Sequence, residues 1–295
     1  MTVLLTGATG FVGLNIAHAL LADGHEIVLF APSKPPAFDW LKRAVFVPGD
    51  VRVPGDVARA FAAAPITHLI HAAAVTPDAQ AEADDPAAIA AVNLVGSLLV
   101  LQAAAQAKLA RALVLSSGAI YGDVTSTAPL DEATTPPNPA TLYGITKLAA
   151  EQSARRLAEL YGLDTVVVRL GPCFGAREYP GGNRQVMSPH WQVVERALSG
   201  EPCVLPREMR ADWIDATDAG RAIAALLLAP ALPHHLFHLG GGVPTTLSAW
   251  CDAVAQLRPG FRWRIDPVAA TIRTPDARAP NPLHRPAAGR PRLAA

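Results

Sequence analysis

The stretch Val3-Leu4-Leu5-Thr6-Gly7-Ala8-Thr9-Gly10-Phe11-Val12-Gly13 decides how the first part of this chain folds. Its apolar run predicts a buried strand, and the apolar positions after it predict a helix: Leu14, Ile16, Ala17, Leu20 and Leu21. Gly7 lets the chain reverse, Gly10 leaves the backbone open to a pyrophosphate, and Gly13 lets the helix lie close to the strand. The helix N-terminus offers N–H groups to phosphates. An ordinary strand-to-helix turn is the alternative, but the position of these glycines favours dinucleotide binding.

The composition describes a neutral chain with enough apolar residues for a large core. Hydrophobic residues make up 51% of the 295 positions, and 25 Lys and Arg residues balance 25 Asp and Glu residues. The lack of a basic excess argues against nucleic acid and against an anionic membrane surface as partners. We therefore expect the partner to be a small molecule.

The cysteines and the apolar runs indicate a cytoplasmic protein. Cys173, Cys203 and Cys251 are scattered and show neither a disulfide framework nor zinc spacing. The apolar N-terminus lacks the basic segment of a signal peptide. The run from Ile223 to Leu228 is too short to span a bilayer, so we expect no membrane partner.

Predicted strands and helices alternate in the first 170 residues. After the first strand, strands are expected at Glu26–Phe30, Val45–Val47, His68–His71, Ala112–Ser116 and Thr165–Leu170, and helices at Pro54–Ala63, Pro86–Ala107 and Leu142–Tyr161. This alternation predicts an α/β fold, a Rossmann-type doubly wound parallel sheet with a small C-terminal substrate-binding subdomain. Ligands then bind at the carboxyl ends of the strands, where Asp50, Ala73, Ser117 and Pro172 lie.

The chain after Leu170 is less regular. A loop or lid is expected at Gly171–Arg184, followed by elements at Trp191–Leu198, Asp212–Leu228, Leu236–Leu239 and Thr245–Leu257. We assign residues 1–170, with 211–240 returning to them, to the dinucleotide-binding domain, and residues 171–210 and 241–295 to the substrate-binding subdomain. The tail from about residue 274 is rich in Pro, Arg and Ala and is expected to be extended or poorly ordered.

Tyr143 and Lys147 are four residues apart on a predicted helix, so their side chains share a face. A tyrosine with a pKa of about 10 is a poor base at neutral pH, and lowering that pKa by about three units takes about 4 kcal/mol. An ammonium at about 4 Å supplies about that much at an effective dielectric constant of ~20. The alternative is a Tyr and a Lys on the surface of an amphipathic helix.

Ser117 strengthens the catalytic interpretation. It ends a predicted buried strand at the ligand edge of the sheet, where a hydroxyl can bond the substrate oxygen that exchanges a proton with Tyr143. The alternative is a serine that caps local backbone.

With these motifs in this order, the chain resembles the extended short-chain dehydrogenases/reductases of the NAD-dependent epimerase/dehydratase type. The resemblance covers about residues 1 to 255. The matching segments are Thr6–Gly13, Gly49–Val51, His71–Ala74, Asn93, Ser116–Gly122, Tyr143–Lys147 and, more weakly, Asp212–Asp215 with Asp218.

The resemblance implies roles for individual residues. Ser117, Tyr143 and Lys147 would be the catalytic trio, with Tyr143 as acid/base and Lys147 also binding the nicotinamide ribose. The remaining cofactor residues would be Gly7, Gly10, Phe11, Val12 and Gly13 at the pyrophosphate, Asp50 and Val51 at the adenine, Ala72 and Ala73 at a ribose, Pro172 at the nicotinamide, and Asn93 in a structural role nearby. Family members often pair the helices that here start at Pro86 and Leu142, so a homodimer is expected.

Three departures from the family pattern affect cofactor, reaction and substrate. The second strand is followed by Ser33 and Lys34 and no acidic residue, so NADP is expected to bind at least as well as NAD. Gly118 and Ala119 replace the Asp-Glu pair of the sugar-nucleotide dehydratases, so dehydration is not expected. Ala211 stands at the position of an Arg that often binds a nucleotide diphosphate, which disfavours a nucleotide-sugar substrate.

The sequence thus predicts an NAD(P)-dependent dehydrogenase or epimerase, with NAD or NADP as cofactor, that acts on a hydroxyl or ketone carbon of a sugar-like substrate. The alternative is a non-catalytic NAD(P)-binding regulator or redox sensor, which has no use for a tuned phenol. Although His234, His235 and His238 are near one another in sequence, we expect no metal. Glu151 and Arg155 are expected to form a solvated helix pair.

Overall fold

Near-continuous runs of Val, Leu and Ile build the middle of the molecule. The computed structural model describes residues 1–122, 129–180 and 186–273. Its strands are β1 (Thr2–Thr6), β2 (Glu26–Ala31), β3 (Val45–Pro48), β4 (His68–His71), β5 (Arg111–Ser117), β6 (Thr165–Leu170), β7 (Cys173–Phe174), β8 (Cys203–Leu205), β9 (Arg210–Ala211), β10 (Ile214–Asp215), β11 (Leu236–Leu239), β12 (Thr245–Thr246) and β13 (Trp263–Ile265).

Helices connect most of these strands. The α-helices are α1 (Phe11–Ala22), α2 (Pro54–Ala62), α3 (Ala79–Asp84), α4 (Pro86–Ala90), α5 (Ser97–Gln106), α6 (Leu142–Tyr161), α7 (Pro189–Ser199), α8 (Ala216–Leu228) and α9 (Leu247–Leu257). Residues 39–43 and 118–121 form 3-10 helices, and residues 91–96 form a π-helix between α4 and α5.

The central sheet has seven strands in the order β11-β6-β5-β4-β1-β2-β3, and every neighbouring pair is parallel. The order reverses between β1 and β4, which makes the carboxyl ends of these two strands the expected ligand edge. The predicted fold class and parallel sheet are therefore confirmed.

Helices cover both faces of the sheet. On one face, α1 and α8 pack against the strands around Leu14, Ile16 and Ile223, and on the other, α2, α5 and α6 pack around Val57, Leu101 and Ala154. Burial on both faces explains why the strands are apolar at almost every position rather than at alternate ones.

The structure corrects some predicted boundaries. The helix expected over Pro86–Ala107 contains the π-helical segment and ends at Gln106. The helix expected from Thr245 begins at Leu247, because the side chain of Thr246 accepts a hydrogen bond from the N–H of Ala249 and caps it. The outer part of the predicted lid and the tail from about 274 lie outside the described residues.

Pro86–Gln106 is the one helical stretch of the described residues that is long and apolar enough to cross a membrane, by length and composition only. Its buried residues Ile89, Val100 and Leu101 pack inside the fold. Val95 is 48% exposed on another side of the same stretch, so part of this apolar surface faces outward.

A second, smaller core lies beyond the carboxyl edge of the sheet. It joins α7 and α9 through buried residues such as Val193, Leu205 and Leu247, with β8 paired to β13 and β9 paired to β12. The chain re-enters the main core at Ile214, and β11 completes the sheet at its edge. The domain division by residue number stays a prediction.

Candidate active site

The glycine loop between β1 and α1 brings the backbone against the end of β4. Gly7 has φ 65°, and a Cβ there would lie 2.7 Å from backbone atoms of Ala72 and Ala73. Added to Gly10, a Cβ would meet only the Gly7 carbonyl oxygen, at 3.3 Å, apart from its chain neighbours. The loop is therefore closed towards the sheet and open on the side of Gly10, as a pyrophosphate requires.

The first turn of α1 completes this cradle. Gly10 is the N-cap residue, and no side chain in the described part of the chain caps the helix. Phe11 is buried, and Val12 packs partly against the main core, so their side chains lie to the side of the helix end. A helix N-terminus with this form binds anions through N–H groups and the helix dipole, so these residues fit a dinucleotide pyrophosphate.

The segment after β7 is fastened to the glycine loop. The Nδ2 of Asn15 donates to the Ala176 carbonyl at 2.9 Å, and Arg177 donates to Asn15 Oδ1 at 2.7 Å. The Tyr179 hydroxyl donates to the Thr9 carbonyl at 2.6 Å. The described part of the predicted lid therefore lies against the glycine loop and the first turn of α1.

A buried hydrogen-bond chain fixes the end of β4. The N–H groups of Ala72 and Ala73 each donate to Thr6 Oγ1 at 3.2 Å, and this hydroxyl lies 2.8 Å from His71 Nδ1. On the other side of the ring, His71 Nε2 lies 2.8 Å from Ser97 Oγ, which donates to the Asn93 carbonyl. This order of donors leaves His71 neutral with its proton on Nε2.

The adenine side of the predicted site is more exposed. Ser33 and Lys34 follow β2 in an exposed loop. Asp50 follows β3 and accepts hydrogen bonds from the Arg52 guanidinium, which lowers the pKa of its carboxyl. Val51 is buried. The structure thus brings all four residues to the same end of the sheet.

Lys147 is the buried cation of the site. It lies on α6 one turn after Tyr143, is 4% exposed, and its Nζ donates to the Leu115 carbonyl of β5. Burial lowers the pKa of Lys147 to about 8, and the Glu151 carboxylate acts in the opposite direction. Ser117 ends β5, and its Oγ accepts a hydrogen bond from the Ala119 N–H at 3.1 Å, a bond that leaves its own proton unused.

Asn93 and Pro172 frame the same edge. The buried Asn93 amide accepts a hydrogen bond from the Val75 N–H and donates one to the Val75 carbonyl. Its Nδ2 also donates to Thr146 Oγ1 at 3.2 Å. It thereby ties the loop after β4 to α6. The Pro172 carbonyl accepts from the Ile214 N–H at 3.1 Å.

The predicted solvated pair of Glu151 and Arg155 is wrong. Glu151 is completely buried and makes two hydrogen bonds to Arg169 of β6, at 2.6 Å and 3.1 Å. Arg155 is exposed. Spacing along the helix suggested the wrong cation, because the true partner lies on a neighbouring strand 18 residues later.

Further polar groups surround Arg169. Its guanidinium donates to the Tyr121 hydroxyl at 2.5 Å, and that hydroxyl lies 2.5 Å from His238 Nε2. The Glu132 carboxylate accepts a hydrogen bond from the backbone N–H of His238 at 3.0 Å. Burial raises the pKa of Tyr121 to about 12, so this phenol is neutral.

An aromatic cluster lies next to Pro172, and the sequence did not single it out. Phe174 stacks on His190 at 4.2 Å between centroids, and Trp213 and Trp250 contact the same imidazole at 4.6 Å and 5.0 Å. His190 Nδ1 and both indole N–H groups are buried and have no hydrogen-bond partner among the residues that the structure describes. The sequence indicates this cluster through the frequent Trp and His residues after residue 185.

Other polar candidates do not assemble over this edge. Asp131 bonds its own turn at Thr134, and Glu132 belongs to the network around Arg169. Asp123 lies outside the described residues. Within the ranges that the structure covers, no three His, Cys, Asp or Glu side chains are placed to hold a metal.

Comparison with known proteins gives one family. The model of the NAD dependent epimerase/dehydratase family matches residues 3–240. A UDP-glucose 4-epimerase of Mycolicibacterium smegmatis is 31% identical over 201 residues, which cover 64% of this chain and 61% of that protein. A 2′-dehydrokanamycin reductase of Streptomyces kanamyceticus is 31% identical over 247 residues, which cover 83% of this chain and 63% of that protein. The matches thus span about three fifths of these relatives.

A solved structure is similar over nearly its whole length. The Thermus thermophilus UDP-glucose 4-epimerase in complex with NAD has a TM-score of 0.80 and 28% identity, with 96% of this chain and 90% of that one covered.

Stability should fall in mild acid because two histidines are buried as neutral rings. Burial lowers the pKa of His190 to about 4, and burial with the nearby Lys147 charge lowers that of His71 to about 3. Below about pH 6.5, the pKa of histidine in the unfolded chain, the unfolded state binds more protons than the folded state. At about pH 5 each of these two rings therefore lowers the free energy of unfolding by about 2 kcal/mol. Between about pH 7 and pH 5, the free energy of unfolding measured with urea should therefore fall by about 2 kcal/mol less in His190→Phe than in wild type. Equal losses would contradict this.

Proposed function

Because this chain belongs to the NAD-dependent epimerase/dehydratase family, we propose that it is an NAD(P)-dependent dehydrogenase or epimerase of the extended short-chain dehydrogenase/reductase type. The observation that carries the proposal is Lys147, whose buried ammonium is held by the Leu115 carbonyl one helical turn from Tyr143. A non-catalytic dinucleotide binder gains nothing from a desolvated ammonium one helical turn from a tyrosine.

Tyr143 carries the proton in this mechanism. The Lys147 ammonium stabilises its phenolate, and an effect of about 4 kcal/mol lowers the pKa of the phenol by about three units. Tyr143 then takes the proton of the substrate hydroxyl during oxidation and returns it during reduction. Ser117 donates a hydrogen bond to the same oxygen and holds it between the two side chains.

The predicted cofactor residues have complementary tasks. The glycine loop and the N-terminus of α1 would bind the pyrophosphate, Asp50 and Val51 would border the adenine, and Lys147 would also bind the nicotinamide ribose. Ala72 and Ala73 would lie beside a ribose, and Pro172 would contact the nicotinamide. When bound, the nicotinamide takes up or returns a hydride at its C4.

The substrate in this proposal is sugar-like. The aromatic cluster of Phe174, His190, Trp213 and Trp250 would form part of its pocket, because aromatic rings with a few polar atoms are typical of small-molecule sites. Ala211 leaves out the Arg expected from the family resemblance. The free cysteines agree with a reducing cytoplasm, which is the location we propose.

Tyr143→Phe should abolish turnover and leave dinucleotide binding intact. UDP-glucose and kanamycin are suitable probes with either dinucleotide, and turnover should fall at least about a hundredfold because only proton transfer is lost. Product mass should fall by two hydrogens in a dehydrogenase, or stay unchanged with inverted stereochemistry in an epimerase. Activity above about a tenth of wild type would remove Tyr143 as acid/base, and loss of one water would contradict the reaction class.

Cofactor choice can be measured by calorimetry. Ser33 and Lys34 are exposed where a 2′-phosphate would lie, and no acidic residue repels it, so NADP should bind at least as tightly as NAD. Lys34→Ala should weaken NADP selectively, whereas Lys108→Ala, which lies before β5 at the opposite edge, should weaken neither. Tenfold tighter binding of NAD, about 1.4 kcal/mol, would defeat this proposal.

We also propose that the protein is a homodimer. The outward apolar surface of Pro86–Gln106 and of α6 includes Val95 and Ile145, each about half exposed. Light scattering should give a dimer for wild type and a monomer for Val95→Arg, because an unpaired charge opposes association. Leu257→Arg on α9 is the control and should stay dimeric. A monomeric wild type at micromolar concentration would refute the pairing.

A further inference from the structure

The ion pair of Glu151 and Arg169 is buried deep in the fold. The exposed fraction is 0% for the Glu151 side chain and 4% for that of Arg169, and the shorter contact is 2.6 Å. Removing two charges from water is unfavourable, and a buried pair is often no more stable than apolar residues of the same volume. The pair therefore calls for an explanation other than fold stability.

Its position supplies one. Glu151 is one helical turn beyond Lys147 on α6, so the two side chains share a face. Arg169 pairs in register with Ser116, the neighbour of Ser117 on β5. The pair is thus next to Lys147 along α6 and next to Ser116 in the sheet, adjacent to two members of the proposed catalytic trio.

We propose that Glu151 is a positioning residue for the reaction: its carboxylate keeps Lys147 an ammonium, and the two hydrogen bonds from Arg169 hold that carboxylate in place. This inference rests on the proposed function of Lys147 at Tyr143.

The charges around Lys147 make Glu151 the group that opposes desolvation. On β4, His71 is neutral and contributes no negative charge, and on β5 the ammonium donates to the Leu115 carbonyl. On α6 itself, Tyr143 lies one turn before Lys147 and Glu151 one turn after it. Burial lowers the pKa of Lys147 to about 8, and Glu151 is the carboxylate that raises it.

The groups around Arg169 hold the pair in one arrangement. Arg169 donates to the Tyr121 hydroxyl at 2.5 Å, and this hydroxyl lies 2.5 Å from His238 Nε2. The backbone N–H of His238 donates to the Glu132 carboxylate. His238 of β11 also pairs in register with Arg169 of β6. The guanidinium therefore has fixed partners besides Glu151, and its orientation does not depend on the carboxylate alone.

Lysine titration tests the inference. The chain has four lysines, Lys34, Lys42, Lys108 and Lys147, so the ¹³Cε signal of Lys147 can be assigned by its loss in Lys147→Met. In Glu151→Gln the Lys147 midpoint should move down by about one pH unit or more, since a nearby negative charge is lost. The alkaline limb of the kcat profile should move to lower pH by the same amount. An unchanged Lys147 midpoint in the folded variant would overturn the inference.

Two further variants provide an alternative to Glu151→Gln and a matched control. Glu151→Leu combined with Arg169→Met removes both charges from the core, so it is the variant to titrate if Glu151→Gln alone does not fold. The Lys147 midpoint should still move down, but by less, because the loss of the Arg169 cation acts in the opposite direction. Glu159→Gln makes the same chemical change on α6 at an exposed pair with Arg156 and should leave the Lys147 midpoint unchanged. A shift in Glu159→Gln equal to that in Glu151→Gln would also overturn the inference.

The titration needs no substrate, so the two proposals can fail separately. A lowered Lys147 midpoint in Glu151→Gln without wild-type turnover on any probe would retain the electrostatic role and reject the proposed function. Turnover that depends on Tyr143 together with an unmoved Lys147 midpoint would retain the function and reject the role of Glu151.

Discussion

The ammonium of Lys147 lies out of water, and the surrounding site compensates for that desolvation. A buried cation either loses its proton or acquires partners. Here the partners are the Leu115 carbonyl of β5 and the Glu151 carboxylate of the next helical turn. Both require α6 to pack against the face of the sheet beside β5, so the charge and the fold depend on each other.

Two polar networks flank this charge and make the ligand edge rigid. On one side, Thr6, His71 and Ser97 join β1, β4 and α5 and fix the backbone of Ala72 and Ala73. On the other, Arg169 and its partners join α6, β6 and β11. Because buried networks of this kind are stable only when every member is paired, they hold the strand ends in one geometry.

Whether a structural feature can be predicted from the sequence depends on how far apart in the chain its interacting residues are. The strands and the long helices follow from local periodicity, and the glycine loop from the conformational demands of Gly7 and its neighbours. The partner of Glu151 could not be found in this way, since Arg169 is brought near by the pairing of β5 with β6. The same is true of the cluster around His190, whose rings come from β7, α7, α9 and the residue between β9 and β10. The π-helical segment has no signature in the apolar pattern.

The central claim is that Lys147 makes Tyr143 a base near neutral pH. Its most direct measurement is the ultraviolet absorbance of tyrosinate as a function of pH, taken as the difference between wild type and Tyr143→Phe with NAD present. The chain has four tyrosines, and buried Tyr121, whose pKa is raised to about 12, stays silent in the working range. The account predicts a midpoint about three units below the ordinary value of about 10, that is, near neutrality. A midpoint near 10 would contradict it.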